Sequence, residues 1–276
     1  MGSVSIGGQR LAYSEYGSGP KLVILLHGLL FSQRMHEELA LALAERGHRV
    51  VTLDLLGHGE SNRPVDKWRY SMPAFGDQVI ALLDELGADE AMLLGTSLGA
   101  NVALEAAVRA PERVRGLVIE MPVLDHALIG CALFFTPIMV ALTAGEPVMR
   151  GVSRLTRLIP RRRLPWQADV LLDWVRQEPA PSAAVFQGLF FDRIAPPREE
   201  RQGIQSPALV IGHQFDLVHP FSDAGMLAKE LPHAELMQAH SLIELRVAPE
   251  RLTNEIGRFL DECWLPRAAN VRARAS

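Results

Sequence analysis

The sequence predicts an α/β fold, a mostly parallel twisted sheet covered by helices on both faces. Three observations carry that expectation. Short apolar runs alternate with helical patterns of roughly 10–15 residues, the rhythm of parallel βαβ units. The runs are nearly continuous rather than alternating in polarity, as strands buried on both faces must be. The chain has 276 residues, 48% apolar and 22% charged, enough to build a sizeable core on each face of such a sheet.

Taken in order, residues 3–6 and 9–16 read as a hairpin turning at Gly7-Gly8, placed at one edge of the sheet. Lys21–Leu26 is an apolar strand ending at His27-Gly28, and a helix follows over about 33–46, stopped by Gly47. Arg49–Leu53 is the next buried strand and Phe75–Leu86 the next helix. Ala91–Leu94, Leu98–Arg109 and Val114–Ile119 continue as strand, helix and strand. After Pro122 the rhythm stops. Residues 123–202 are helical and loop-like, rich in Phe, Met, Trp, Pro and Arg, and read as an inserted cap or lid. The rhythm resumes with a strand at 208–211, a helix over about 222–231, a short strand near 235–238 and a helix over about 249–262. The core is therefore 1–122 with 203–264, and 265–276 is a polar, frayed tail.

The formal charge of −4 gives no case for nucleic-acid binding, which shows itself as a basic face. Cys131 and Cys263 are the only cysteines, without zinc-ligand spacing, and read as free thiols of a cytoplasmic protein. The N-terminus lacks the charged start and apolar run of a signal peptide.

The chemistry-bearing motif is Gly95-Thr96-Ser97-Leu98-Gly99, a G-x-S-x-G between a strand and a helix. Small residues at 95 and 99 let the chain turn sharply without side-chain collision, lifting the Ser97 hydroxyl clear of the sheet. Three further segments accompany it: His27-Gly28, the run Asp54-Leu-Leu-Gly-His-Gly-Glu-Ser61, and Gly212-His-Gln-Phe-Asp216. With these, the chain resembles the α/β-hydrolase superfamily over roughly residues 5–262, in particular its esterase, lipase and carbon–carbon hydrolase branches.

The resemblance implies a nucleophile, then an acid, then a histidine in chain order. Ser97, Asp216 and His240 fit that order. Asp216 follows a strand end, and His240 follows the next short strand. The family pattern has Gly before the histidine, where this chain has Ala239, and the stretch from His240 to Pro249 is longer than usual. Glu120 and Asp125 are the alternative acids, and His219 is assigned to fixing the loop at His219-Pro220. The resemblance also implies an oxyanion hole made by the backbone amides of Leu98 and Leu29. Asp54, His58 and His27 belong to a recurrent turn and not to a metal site, so neither metal nor organic cofactor is expected.

Residues 127–145 carry no charge and approach the length of a bilayer span, but Pro137 interrupts them. They read as a cap helix that presents Phe134, Phe135 and Met139, together with Leu30, to a small hydrophobic substrate. Contact with a membrane and a homodimer interface are the other uses of this stretch. Arg161-Arg162-Arg163 reads as a solvated turn. The expected activity is hydrolysis of an ester or related acyl bond through an acyl-enzyme. Carbon–carbon cleavage or perhydrolysis on the same triad is the alternative, although Leu29-Leu30 lacks the proline that perhydrolases often carry there. The reading from another class is a non-catalytic ligand-binding protein on a hydrolase scaffold.

Overall fold

The computed structural model describes residues 1–161, 164–190 and 192–265. Arg162, Arg163 and the expected tail from residue 266 onward lie outside the described residues. Eight strands form one sheet in the order β1-β2-β4-β3-β5-β6-β7-β8. They are β1 (Gly2–Ile6), β2 (Gln9–Tyr16), β3 (Leu22–Leu26), β4 (Arg49–Leu53), β5 (Ala91–Thr96), β6 (Val114–Glu120), β7 (Ala208–His213) and β8 (Ala234–Ala239). The first two pair antiparallel at one edge, and β3 to β8 run parallel.

The two faces of each strand enter different cores. Ile24 and Leu26 of β3 join one cluster with Leu93, Leu117 and Phe75. Val23 and Leu25 join the other with Leu94, Val118, Ile256 and Phe259. That is why β3 is apolar at all five positions: in a sheet covered on both sides neither parity of the pleat faces water. Helices α1 (Glu37–Glu45), α2 (Met72–Glu85) and α3 (Leu98–Arg109) cover those faces together with the last helix, which carries Ile256 and Phe259.

Between β6 and β7 the chain leaves the sheet and forms α4 (Ala127–Thr143), α5 (Glu146–Arg157), α6 (Trp166–Arg176), α7 (Pro179–Phe190) and α8 (Arg198–Gln202). It then returns through α9 (Phe221–Glu230), α10 (Glu244–Val247) and α11 (Glu250–Trp264). The inserted helices have their own small core, where Leu30 packs with Leu142, Ala183 and Phe186. Among the described residues no single helix is long and apolar enough to cross a membrane, and α4 meets α5 at 92°.

Parallel register places the ends of these strands in one row: Leu26 lies opposite Gly95, Thr96 opposite Glu120, Glu120 opposite Ile211, and His213 opposite Ala239. The loops beginning at 27, 97, 121, 214 and 240 therefore emerge along the carboxyl edge of the sheet, where open α/β sheets bind their ligands.

Candidate active site

Ser97 joins β5 to α3 with φ 56° and ψ −113°, a conformation that costs energy for any residue but glycine. The neighbouring glycines make it feasible. A Cβ on Gly95 would sit 2.1 Å from the Gly99 carbonyl oxygen, and one on Gly99 would sit 2.1 Å from that of Leu26. The Ser97 N–H donates to the Glu120 carbonyl at 2.9 Å, so the bend is also tied to β6.

The Ser97 hydroxyl is 2.9 Å from Nε2 of His219, and Nδ1 of the same ring is 2.9 Å from Asp216 Oδ2. Asp216, which the sequence reading took as the acid, thus meets an imidazole three residues away on the same loop. Its other oxygen, Oδ1, accepts the N–H groups of Val218 at 2.8 Å and His219 at 2.9 Å. One carboxylate therefore closes a local turn and aims the ring at the end of that turn. With Asp216 accepting at Nδ1, the tautomer leaves Nε2 free to accept from Ser97 O–H. Burial works against the Asp216 carboxylate. The hydrogen bond and charge of His219 and the two backbone N–H groups outweigh it and hold its pKa below the ordinary value.

The structure does not bring His240 to Ser97. Its side chain is 72% exposed, with Nδ1 3.9 Å from Glu244 Oε1. The cause is the chain that follows. The His240 N–H donates to the Glu244 carboxylate, which Arg251 grips at 2.8 and 2.9 Å. The backbone is thereby folded tightly into α10 while the ring projects outward. Arg246 of α10 turns inward instead, donating to Thr96 Oγ1 at 3.0 Å and Glu120 Oε2 at 2.9 Å. Neither alternative acid reaches His219. Glu120 is buried and committed to Arg246 and Thr96; burial opposes its charge, yet Arg246, His213 and Thr96 keep it ionised far below the carboxylate range. Asp125 is exposed.

A cavity of about 310 Å³ opens beside Ser97, at the small end of ligand pockets. Leu29, Leu98, Phe135, Phe186, Leu189 and Phe190 contribute to its wall. Of the expected substrate contacts only Phe135 lines it. Leu30 and Met139 pack in the core of the inserted helices, and Phe134 is 45% exposed, resting on Phe135 and Trp174. The sequence reading missed this because helix α4 is apolar all round, so composition could not tell its cavity face from its outer face. The amide in the wall, Asn101, is consumed: Nδ2 donates to the carbonyls of Val123 and Ile194, and Oδ1 accepts the Val123 N–H.

Leu98 opens α3, so its N–H is one of the first-turn donors with no intrahelical acceptor. A Cβ added to Gly28 would lie 3.7 Å from the Ser97 Cβ, so the loop carrying Leu29 passes against Ser97. His27 Nδ1 is 2.8 Å from the Gly28 carbonyl while Nε2 accepts the Leu55 N–H at 3.1 Å. Asp54 accepts from Gln33 and Glu60. Both groups are spent on shaping the loops around the site.

The α/β hydrolase fold family matches residues 21–145. A 2-hydroxymuconate semialdehyde hydrolase of Pseudomonas putida is 29% identical over 199 residues, covering 68% of this chain and 67% of that protein. The dihydrolipoyllysine-residue acetyltransferase component of an acetoin cleaving system, also of Pseudomonas putida, is 30% identical over 272 residues, covering 92% of this chain and 68% of that protein. Several other relatives are matched over less than half of their length. Among solved structures, the enol-lactonase from Burkholderia xenovorans LB400 superposes with a TM-score of 0.77 at 21% identity, over 94% of this chain and all of that one.

Proposed function

The chain belongs to the α/β-hydrolase family, and from that premise we propose that it is a serine esterase acting on esters of apolar carboxylic acids. The observation that carries the proposal is the unbroken hydrogen-bonded chain from Ser97 through His219 to Asp216. It stands beside a cavity whose wall, among the described residues, holds no charged side chain.

In this reading His219 Nε2 takes the Ser97 proton as Oγ attacks the ester carbonyl, and Asp216 stabilises the imidazolium that forms. The amides of Leu98 and Leu29 receive the oxyanion, each donor contributing about 3 kcal/mol to the transition state. Collapse breaks the bond to the alkoxy oxygen, which leaves as an alcohol with the proton from Nε2. Water then attacks the acyl-enzyme, giving its proton to His219; the second collapse releases the acid and returns the proton to Ser97. The cavity accepts the acyl chain. Burying a carboxylate against such an apolar wall is expensive, which favours apolar esters over acid substrates.

The test is reaction with a fluorophosphonate probe and a panel of p-nitrophenyl esters of increasing acyl length. Labelling and turnover that vanish in Ser97→Ala, with an optimum at intermediate chain length, support the proposal. Folded protein that neither labels nor turns over any ester excludes it and favours the non-catalytic binder.

A further inference from the structure

Residues Gly28 to Phe31 form a hydrogen-bonded turn, with the Phe31 N–H donating to the Gly28 carbonyl at 3.1 Å. Its third residue, Leu30, has φ 62°, and Leu29 is not in the positive-φ region. A positive φ at the third position alone is the signature of a type II turn, which ordinarily places glycine there. A leucine at that position favours the opposite orientation of the central peptide, the type I form, in which the Leu29 carbonyl turns over.

The inserted helices hold that peptide and the one after it. Trp174 Nε1–H of α6 donates to the Leu29 carbonyl at 3.2 Å, and Gln177, just after α6, donates to the Leu30 carbonyl. Ser32 bonds Asp173 of the same helix at 2.8 Å, and the Leu30 side chain is 3% exposed inside the inserted core. Helix α6 is itself fixed through Asp169, which receives Arg34 and Arg161 at 3.0 Å and Arg176 at 2.5 Å. Neither Trp174 nor Gln177 lines the cavity beside Ser97.

We propose that Trp174 and Gln177 are positioning residues for the oxyanion hole: by holding the Leu29 and Leu30 carbonyls they keep a strained turn from relaxing and shifting the Leu29 N–H on the adjoining Gly28–Leu29 peptide. The inserted helices would then stabilise the transition state as well as enclose the substrate. The inference rests on the esterase reading of Ser97.

Trp174→Phe keeps an aromatic ring beside Phe31 and Phe134 and removes the donor. Its kcat on a p-nitrophenyl ester should fall about tenfold through displacement of the turn that carries the Leu29 N–H, with KM held within about twofold. Gln177→Leu should act in the same direction and serves where Trp174→Phe does not fold. The decisive readout is rescue. Glycine accepts the positive φ without help, so in a Leu30→Gly background the Trp174→Phe penalty should shrink to less than about threefold. A merely structural role lowers thermal stability and gives the same kcat ratio in both backgrounds. Wild-type protein that labels and turns over, with an unchanged rate in Trp174→Phe or an undiminished penalty in the Leu30→Gly background, overturns the inference alone. Wild-type protein that neither labels nor turns over removes the esterase reading and this inference with it.

Discussion

Two single substitutions separate the histidine that the motif order suggested from the one that the fold delivers. His219 Nε2 lies 2.9 Å from Ser97 Oγ, while His240 is 72% exposed. Because members of a triad act as a unit, removing the base should cost about 10⁴–10⁶ in kcat, roughly 5–8 kcal/mol of barrier at 1.36 kcal/mol per decade. His219→Ala should lose that much, leaving the residual turnover that the oxyanion donors and substrate binding provide. His240→Ala keeps its backbone bond to Glu244 and loses only an exposed ring, so its kcat should stay within about twofold of wild type. The assay is p-nitrophenyl ester turnover per folded molecule, with circular dichroism to confirm the fold. If His219→Ala keeps more than a tenth of the wild-type kcat while His240→Ala loses two decades or more, the assignment of the base is wrong.

Asp216→Asn should lower kcat by about 10⁴ by disturbing the ring's tautomer; a loss under tenfold, measured in the same assay, would show that another group orients the ring. Gly130 of α4 packs on the loop that carries both partners, and a Cβ there would meet the Leu217 carbonyl oxygen at 2.1 Å. Gly130→Ala should therefore shift Asp216 and His219 and lower kcat by about tenfold to a hundredfold, with KM changed far less; unchanged kinetics would mean the loop is not seated on α4. His36 is fully buried, and burial, with Arg246 adding to it, drops its pKa to about 3. The unfolded chain takes up this proton near pH 6.5 and the folded chain does not, so stability from this group is present above about pH 6.5 and lost as pH falls toward 3. At pH 5 the loss is about 2 kcal/mol, read as a lower urea midpoint than at pH 7.5. His36→Gln should flatten that slope, and an equal slope in both proteins would refute the account.

The sheet and the bend that presents Ser97 were written locally. Continuous apolar runs alternating with helical patterns read as strands covered on both faces, and the glycines at 95 and 99 permit the bend found at Ser97. Asp216 was legible for the same reason, standing just past a strand end. The base was not. Its identity depends on which of two loops points inward, and that is decided by contacts between distant residues. Glu244 and Arg251 fold the segment after β8 so that His240 faces water, and Arg246 takes the space behind Thr96. The only hint in the sequence was the irregular stretch around Ala239 and His240. The cavity wall was illegible for a related reason: α4 is apolar on every side, so only its packing against α7 and the loop at Leu217 decides which of its residues face the cavity. Periodicity and turn chemistry act within a few residues and are readable along the chain. The choice among equally plausible side chains is made by burial and charge pairing across the whole molecule, and those exist only once it has folded.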